Sequence, residues 1–404
     1  MAKKIKHKAR KPLPTRWAWL ANFRLVALGL FLLSIVLYAN TFGHDYTQDD
    51  AIVITDNMYT QEGISGIPGL FTKDTFFGFF KKEGKDRLVS GGRYRPLTPS
   101  LFAIEYQLFG GKPGPMHVLN ALWYGLTVVV LYGVLLALFR IRGQWDKKLS
   151  TIALYWVPLA AAVLFAVHPL HTEAVANIKG RDEIITLLGS LAALWFVLRG
   201  GTKHLLLGAL CFFGALLAKE NAITFLGVVP LALYVFTKDS VGHIVGKTAP
   251  LLAAAVLFIV LRGAVIGFQF GEPSQEFMNN PYLKIENNEW VPFTAGEKAA
   301  TVTYTLGKYA QLLVVPHPLT HDYYPRQVDL KTFGDPLVLL SLFLHLGLLG
   351  YGLWSVFTQR SIAGFGILYY LGTLSIVSNI VFPVGTHLSE RFLFMPSVGF
   401  ALVI

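Results

Sequence analysis

The sequence predicts an all-α polytopic membrane protein, and three observations support that fold class. Of the 404 residues, 53% are hydrophobic and only 15% are charged, which is too little charge to cover a soluble protein of this length. The mean hydropathy is +0.50. Apolar runs also recur along the chain, each close to the roughly 20 residues that an α-helix needs to cross a bilayer.

Residues 1–24 form a basic segment that is predicted to lie in the cytoplasm. This segment carries eight Lys and Arg residues, and an apolar stretch follows from 25 to about 42. A signal peptide has a shorter apolar core and a small-residue cleavage site, so this stretch predicts an uncleaved first span. The transmembrane domain is then predicted over 25–404, and the stretch from 391 onward resembles a span cut short, so a C-terminal part is expected to be missing from this sequence.

Apolar runs predict about 10–11 spans in all. After the first, they are predicted at about 117–139, 151–168, 183–199, 204–218, 222–237, 247–268, 336–357, 362–381 and from 391 onward. The short loop 140–148 is basic, which indicates the cytoplasmic side. This orientation makes 43–116 a long first exoplasmic loop, with a surface-lying helix near 97–109, and places 169–182, 219–221 and 382–390 on the same side.

The segment 297–316 is the ambiguous part of this topology. It is short, carries three charged residues and ends at Pro316. An amphipathic helix lying on the outer membrane surface fits these features better than a span does. We therefore predict an exoplasmic loop over 263–335 that contains an interfacial helix.

Charge and cysteine content exclude several classes of protein. The net charge is +11, but Lys and Arg cluster at the N-terminus and in short loops, as in membrane proteins, so we predict no nucleic-acid partner. The single cysteine, Cys211, lies in an apolar run, which excludes a disulfide framework and a cysteine-based metal site. No Asn-x-Ser/Thr sequon is present.

Three acidic residues lie together just after the first span. The first 44 residues contain none, and then Asp45, Asp49 and Asp50 follow within six positions. Neighbouring carboxylates at a bilayer surface repel each other and lose solvation, so such groups are often kept for chemistry. We predict that Asp49 and Asp50 are catalytic, and a solvated loop that caps a helix is the alternative.

The other outer loops carry most of the remaining unusual residues. His168, His171 and Glu173 have a spacing that could hold a divalent metal, but Pro169 interrupts the helix that would put them on one face. We therefore predict no metal and no other cofactor, and keep a divalent metal as an alternative. Two further stretches combine charge with aromatic residues at a stiff turn or a span mouth: 316–325, with Asp322 and Tyr323, and 385–397, with Glu390 and Arg391.

Taken in order, these motifs resemble the transmembrane, TPR-repeat-bearing O-mannosyltransferases, within the wider GT-C class of polytopic glycosyltransferases. The matching pieces are HDYTQDDAI (44–52), YRPLT (94–98), FAVHPLHTEAV (165–175), GRD (180–182), KEN (219–221), NP (280–281), DY (322–323) and ERFLFMPS (390–397). Each piece is weak alone, but eight in the right order are strong, and they cover the chain from about 25 to 404. The TPR repeats of the family are absent from these 404 residues.

The resemblance implies a GT-C-type helical bundle, a polyprenyl- or dolichyl-phosphate sugar donor and a non-cytoplasmic active site. It also implies that an acid of the first outer loop, here Asp49 or Asp50, acts as the base. Transfer to a hydroxyl needs cations on the departing phosphate, and Arg suits phosphate because its planar fork can bond two oxygens. We assign donor-phosphate binding to Arg95, Lys179, Arg181, Lys219 and Arg391. The sugar or acceptor pocket is assigned to His168, His171, Glu173, Asp322, Tyr323 and Glu390.

The function predicted from these residues is inverting transfer of a mannose-like sugar to Ser or Thr of an exported protein. The alternatives are transfer to a lipid or glycan acceptor, and a non-catalytic membrane subunit of an envelope or secretion complex. A transporter is less consistent with polar motifs that crowd one face and with the lack of a sequence repeat. We expect a bacterial inner membrane with a periplasmic active site, or else the endoplasmic reticulum membrane with a luminal one. Membrane lipids are expected partners, and membership of a larger complex stays open.

Overall fold

The computed structural model describes residues 13–82, 92–268, 280–320, 322–323 and 327–404. Helices dominate these residues, which confirms the predicted all-α polytopic class. The α-helices are α1 Phe23–Tyr38, α2 Met58–Gln61, α3 Ile67–Thr72, α4 Phe77–Phe80, α5 Leu97–Phe109, α6 Pro113–Trp145, α7 Ala153–Val167, α8 Thr172–Ala176, α9 Arg181–Arg199, α10 Thr202–Ala218, α11 Phe225–Phe236, α12 Val241–Ile266, α13 Ala295–Val314, α14 Pro336–Gln359, α15 Ile362–Ser375 and α16 Ser397–Val403. Half of the basic segment 1–24 and part of the loop 263–335 lie outside the described residues.

Within the described residues, four helical stretches are long and apolar enough to cross a membrane. They are Phe23–Gly43, Pro113–Trp145, Val241–Ile266 and Pro336–Gln359. Helix α7 and the helical segment Pro169–Ala176, which meet at 53°, make a fifth if the bent pair is counted as one span. The break falls at Pro169, which cannot continue a helix because it lacks an N–H and clashes with the preceding turn. Each of the ten predicted spans has a helix at its position in the structure.

Helix α6 lies at the centre of the bundle and packs against α1, α7 and α9, while α10 connects α9 to α12. Its tyrosines Tyr124 and Tyr132 are fully buried. The outer faces of α12 and α14 are apolar as well, with Leu257, Leu340 and Phe343 more than half exposed. Exposed apolar faces of this kind indicate contact with lipid.

The first outer loop is a folded layer over one end of the bundle. It contains α2 to α5 and the π-helical turn Ala51–Thr55. A small core joins Val53, Ile54 and Phe102 of this loop to Met116 of α6 and to Ile178. A helix is predicted near 97–109, and α5 occupies those residues. This layer fixes the acidic cluster against the segment 169–182.

Helix α13 begins at a capping box between Thr294 and Glu297. Near its C-terminal end, the Tyr309 hydroxyl accepts the N–H of Ser389 at 3.2 Å. The carbonyl oxygen of Leu313 is 3.0 Å from Nε2 of His168. Helix α13 is thus connected to two of the segments predicted to be exoplasmic. Its position along the outer membrane surface remains a prediction.

A two-stranded hairpin is the one departure from an all-helical architecture among the described residues. Strand β1 Leu283–Glu286 pairs antiparallel with β2 Glu289–Pro292. Asn287 and Asn288 form the turn with positive φ angles of 50° and 65°. Two consecutive residues in this region are typical of a type I′ turn, and asparagine tolerates the conformation better than most residues. The hairpin lies within the predicted loop 263–335, where no strand is expected from the apolar pattern.

Candidate active site

Asp50 is a buried anchor of the first outer loop. It immediately precedes the turn Ala51–Thr55 and has no exposed surface. Its carboxylate accepts the backbone N–H groups of Thr47 at 2.9 Å and Lys179 at 2.8 Å. Burial raises the pKa of Asp50 to about 6, although these two N–H groups oppose the increase. Asp50 therefore joins the loop to the segment that carries Lys179, which makes it a positioning residue.

Asp49 has the opposite environment, because its side chain is 35% exposed and contacts two cations. Its Oδ2 atom is 3.6 Å from Nζ of Lys179 and 3.8 Å from Nη2 of Arg391. Lys179 first, and Arg391 after it, hold the pKa of Asp49 below its usual range, although burial acts in the opposite direction. Asp49 is therefore an ionised, accessible carboxylate in a cationic setting.

Lys179 owes its position to a short 3₁₀ turn, Ile178–Gly180. The side chain of Asn177 accepts the N–H of Lys179 at 3.1 Å and caps this turn. Lys179 is only 5% exposed, and its Nζ is 3.5 Å from Oδ2 of Asp182. Burial lowers the pKa of Lys179 to about 8, although Asp182 opposes the decrease. This lysine is a cation whose charge is sensitive to mildly alkaline pH.

Arg391 is held by Glu173 through both its side chain and its backbone. Nη1 of Arg391 is 3.2 Å from Oε1 of Glu173, and its backbone N–H donates to Oε2 at 2.7 Å. The hydroxyl of Ser389 donates to the same carboxylate at 3.0 Å. Three contacts on one carboxylate fix the arginine at the start of the final helical segment.

A cavity of about 170 Å³ opens beside these residues. We call it the cationic cavity, because among its described lining residues five are Lys or Arg and only one, Glu220, is acidic. The five cations are Arg93, Arg95, Lys179, Lys219 and Arg391. The remaining wall is largely apolar and consists mainly of Ile376, Val377, Phe382, Pro383, Val384 and Phe392. This combination suits an anion that is joined to an apolar group.

Four of the five cations contact acids: Lys179 and Arg391 as described above, and Arg95 and Lys219 at other carboxylates. Arg95 binds Glu220 through two nitrogens, at 2.6 and 2.8 Å, and Asp182 at 3.1 Å. Lys219 forms a buried ion pair with Glu183. In these pairs the acids neutralise the buried cations of the cavity wall. The same pairing weakens the attraction of these cations for a bound anion.

Arg93 is different, because its guanidinium makes no ion pair or hydrogen bond with the described part of the chain. It lies over the ring of Phe76, 5.0 Å from the centroid. Burial, with the charge of Arg95 next, lowers the pKa of Arg93 to about 10. The sequence-based assignment includes Arg95 and omits Arg93. Their spacing was a usable signal, since residues two apart in an extended segment share a face.

A second cavity, of about 580 Å³, lies on the other side of Glu173. We call it the acidic cavity, because its only charged lining residues, among those described, are the carboxylates Asp45, Glu173 and Glu390. The other lining residues are mostly polar: His44, Thr47, Gln48, His117, Thr172, Ala176, Asn177, Leu319 and Thr320.

Asp49 contacts Lys179 and Arg391 of the cationic cavity, and its chain neighbour Gln48 lines the acidic cavity. Arg391 lines the cationic cavity, whereas its neighbour Glu390 lines the acidic one. The ion pair between Arg391 and Glu173 therefore connects the two walls, and Asp49 contacts the arginine of that pair. Asp49 is therefore close to both cavities, although it is among the described lining residues of neither.

The other residues assigned to a sugar or acceptor pocket divide between the acidic cavity and its surroundings. Glu390 is 3% exposed and accepts the Thr320 N–H at 2.7 Å and the Tyr323 hydroxyl at 3.1 Å. Burial raises the pKa of Glu390, although both bonds oppose the increase. Asp322 is exposed, and its backbone carbonyl accepts the Thr320 hydroxyl at 3.0 Å. Residues 321 and 324–325 of the same stretch lie outside the described residues.

Arg181 does not line either cavity. Its side chain has no exposed surface and donates to Glu105, to Asn120 and to the carbonyl oxygen of Met116. All of these partners lie in α5 and α6. The structure therefore places Arg181 in the support beneath the site, away from the cations assigned to phosphate in the sequence.

His168 and His171 also point away from both cavities. Nδ1 of His171 is 2.9 Å from the Tyr124 hydroxyl, and its Nε2 is 3.0 Å from Oγ of Ser397. His168 bonds Leu313 of α13, as described above. The residues that the structure describes contain no group of three His, Cys, Asp or Glu side chains arranged for a metal. The two histidines instead connect helices of the bundle.

The membrane-length helices define an integral membrane protein. Its charged residues and both cavities lie among the loops at one end of the helical bundle. Its relatives give the site a context. A protein O-mannosyl-transferase of Caenorhabditis elegans is 28% identical over 383 residues, which is 93% of this chain and 50% of the relative. Protein O-mannosyl-transferase TMTC3 of Mus musculus is 28% identical over 423 residues, or 95% of this chain and 42% of the relative. Protein O-mannosyl-transferase TMTC4 of Mus musculus is 26% identical over 447 residues, which is 99% of this chain and 56% of the relative.

These similarities confirm the resemblance to O-mannosyltransferases, since they extend over nearly all of this chain. The chain spans about half the length of the curated relatives it matches. No family model matches the sequence. No solved structure matches it either.

Proposed function

We propose that this chain is the membrane-embedded part of a glycosyltransferase of the GT-C class. In this proposal it moves mannose, or a similar hexose, from a polyprenyl- or dolichyl-phosphate donor to Ser or Thr of an exported protein. The observation that carries the proposal is the position of Asp49. Its carboxylate is ionised, partly exposed and 3.6 to 3.8 Å from two cations that line the cationic cavity. The names of the relatives agree with this chemistry.

The cationic cavity is assigned to the donor phosphate. Arg93, Lys179 and Arg391 supply the charge that stabilises a departing phosphate, and preorganised cations of this kind are a major source of rate enhancement. The apolar wall continues into Ile380 and Val381, which are 55% and 63% exposed. Exposed apolar residues beside a phosphate site suit the lipid chain of the donor, which cannot leave the bilayer.

Asp49 is assigned as the general base. The acceptor hydroxyl oxygen attacks the anomeric carbon, the bond from that carbon to the phosphate oxygen breaks, and its electron pair leaves with the phosphate. The hydroxyl proton passes to Asp49. A carboxylate of low pKa is adequate, because the proton becomes acidic only when the anomeric bond is largely broken. Attack opposite the leaving phosphate inverts the anomeric centre.

The remaining assignments follow from the two cavities. Asp50 positions Lys179, while Arg95 and Lys219 hold the acidic side chains around the phosphate site. No step requires a resident metal. The active site is assigned to the exoplasmic side, which is the periplasm for a bacterial inner membrane and the lumen for an endoplasmic reticulum. A phosphate-bearing lipid acceptor is disfavoured, since its charge would enter the acidic cavity.

The test uses the purified chain in lipid nanodiscs, with a mannosyl-phosphoryl-polyprenol and a Ser/Thr peptide. The Asp49→Asn variant should lower kcat by at least about 100-fold, because it removes the base but keeps the shape. Asp56→Asn is the matched control, since Asp56 is an exposed acid of the same loop that makes no ion pair with Lys179 or Arg391. Turnover of Asp49→Asn within twofold of the parent would refute the assignment.

A further inference from the structure

The acidic cavity contains a buried polar side chain that lacks a full hydrogen bond to the residues that the structure describes. His117 lines the cavity and is only 1% exposed. Neither ring nitrogen meets hydrogen-bond geometry with a described residue, and the backbone of Asp45 is at most a weak partner. A buried imidazole with one weak partner at most loses hydrogen bonds that water would otherwise supply. Because His117 lies on the cavity wall, a ligand in the cavity would supply the hydrogen bonds that its ring lacks.

Two of the acids in this cavity lack a cationic partner in the described part of the chain. Glu390 is bonded only to an amide N–H and a phenol, and Asp45 is exposed with no ion pair. Glu173 alone is neutralised, through Arg391. The cavity therefore carries excess negative charge, which attracts cations and repels phosphate and carboxylate groups.

We infer that the acidic cavity binds the acceptor as an extended, hydroxyl-bearing peptide segment and selects segments with a Lys or Arg next to the Ser or Thr. In this arrangement His117 bonds the backbone of the segment, while Asp45 and Glu390 face its basic side chain. A volume of about 580 Å³ lies within the range that small-ligand sites occupy and accommodates a few residues. This inference rests on the proposed function for the identity of the second substrate.

The experiment measures binding and transfer separately. Fluorescent Ser/Thr peptides with Lys or Glu at both flanks are titrated against the full chain in nanodiscs, and product formation is measured with the same peptides. The parent should bind the Lys-flanked peptide at least about fivefold more tightly, as partly exposed charge pairs typically contribute. Asp45→Lys should reduce or reverse that preference. Asp56→Lys, the control on the same loop, should leave it unchanged.

His117 is tested by two substitutions. His117→Leu should weaken both peptides several-fold, and His117→Gln should recover part of the loss because its amide also bonds backbone groups. Equal affinities for the two peptides, or a preference that Asp45→Lys does not alter, would overturn the inference. Peptide binding with the expected preference but no product would refute the proposed function instead. Product formed without any flank preference would leave the function standing and remove this site.

Discussion

The cationic and acidic cavities share a boundary and differ in almost everything else. The first is small, about 170 Å³, with five Lys or Arg side chains and an apolar wall, whereas the second is about 580 Å³ and carries only acidic charges among its described lining residues. Glu390 and Arg391 are consecutive, yet each faces a different cavity. The difference indicates that the two cavities suit different ligands. An anion would be attracted to the cationic cavity and repelled from the acidic one.

Arg181, which lies beneath the site, differs from the cations that line the cationic cavity. Arg181 is fully buried and bonded to Glu105, so its charge is used within the protein and does not reach a ligand. Arg93 has no such partner and opens onto the cationic cavity. Whether a cation stabilises the fold or binds phosphate therefore depends on its partner, and substitutions should separate the two roles.

The largest effect is expected for Arg181→Met. It leaves the buried Glu105 carboxylate unpaired, a change that typically costs about 3–5 kcal/mol. We expect a large fall in Tm or loss of folded protein, measured by thermal unfolding in detergent. The double variant Arg181→Met, Glu105→Leu should recover much of the stability, because neither charge of this buried pair then remains. A stable Arg181→Met variant that has lost only donor binding would contradict the role assigned here.

Arg391→Ala comes next and acts on the shared boundary. We expect kcat/KM for the lipid-phosphate donor to fall by about 100- to 1,000-fold, the effect typical of removing a group that stabilises developing charge. Folding should persist, because Glu173 keeps its bonds to Ser389 and to the backbone of residue 391. The control is Arg140→Ala, an exposed arginine in a loop predicted to be cytoplasmic, which should retain parental kcat/KM. Loss of activity in both variants, or in neither, would argue against a specific role for Arg391.

The pH dependence should report on Lys179. Its pKa is lowered to about 8 by burial, so the cation is present below that pH and is lost as pH rises through it. A lipid-phosphate sugar is a diester that stays singly charged over this range. We expect donor kcat/KM to fall with increasing pH, approaching about tenfold per pH unit well above the pKa. Lys179→Arg should move the fall to higher pH, and an unchanged profile in that variant would assign the titration to another group.

The smallest effect is expected for Arg93→Gln. We expect donor affinity to fall by about tenfold, as for the loss of one charge-assisted hydrogen bond. Thermal stability should be unchanged, because the Arg93 guanidinium pairs with no carboxylate among the described residues. Titration with a fluorescent polyprenyl phosphate measures the affinity. A large fall in Tm with unaltered affinity would show that Arg93 acts on the fold.

The sequence predicted the helices better than it predicted their partners. Spans follow from local apolar runs, and α5 at Leu97–Phe109 matches the helix predicted near 97–109. The hairpin at 283–292 was missed because its strands are short and mixed in polarity. Its two consecutive asparagines were the available turn signal.

The same distinction applies to the candidate site: the sequence indicated which residues belong to it, but not their distant partners. Asp49, Lys179 and Arg391 come together from three separate loops, as the ordered motifs suggested. By contrast, the environment of Arg181 depends on Glu105, which lies 76 residues earlier in the chain. His171 likewise bonds Ser397, 226 residues away. A motif gives the residue type but not the distant partner, so sequence alone could not separate ligand-binding groups from buried supports.

The most direct test is a structure of the full chain in nanodiscs with a bound polyprenyl phosphate. We predict phosphate density in the cationic cavity, within hydrogen-bonding distance of Arg93, Lys179 or Arg391, and a lipid chain leaving past Ile380 and Val381. The Asp49 carboxylate should lie beside that phosphate and face the acidic cavity. Phosphate density in the acidic cavity, or at a site with none of these three cations, would contradict the account.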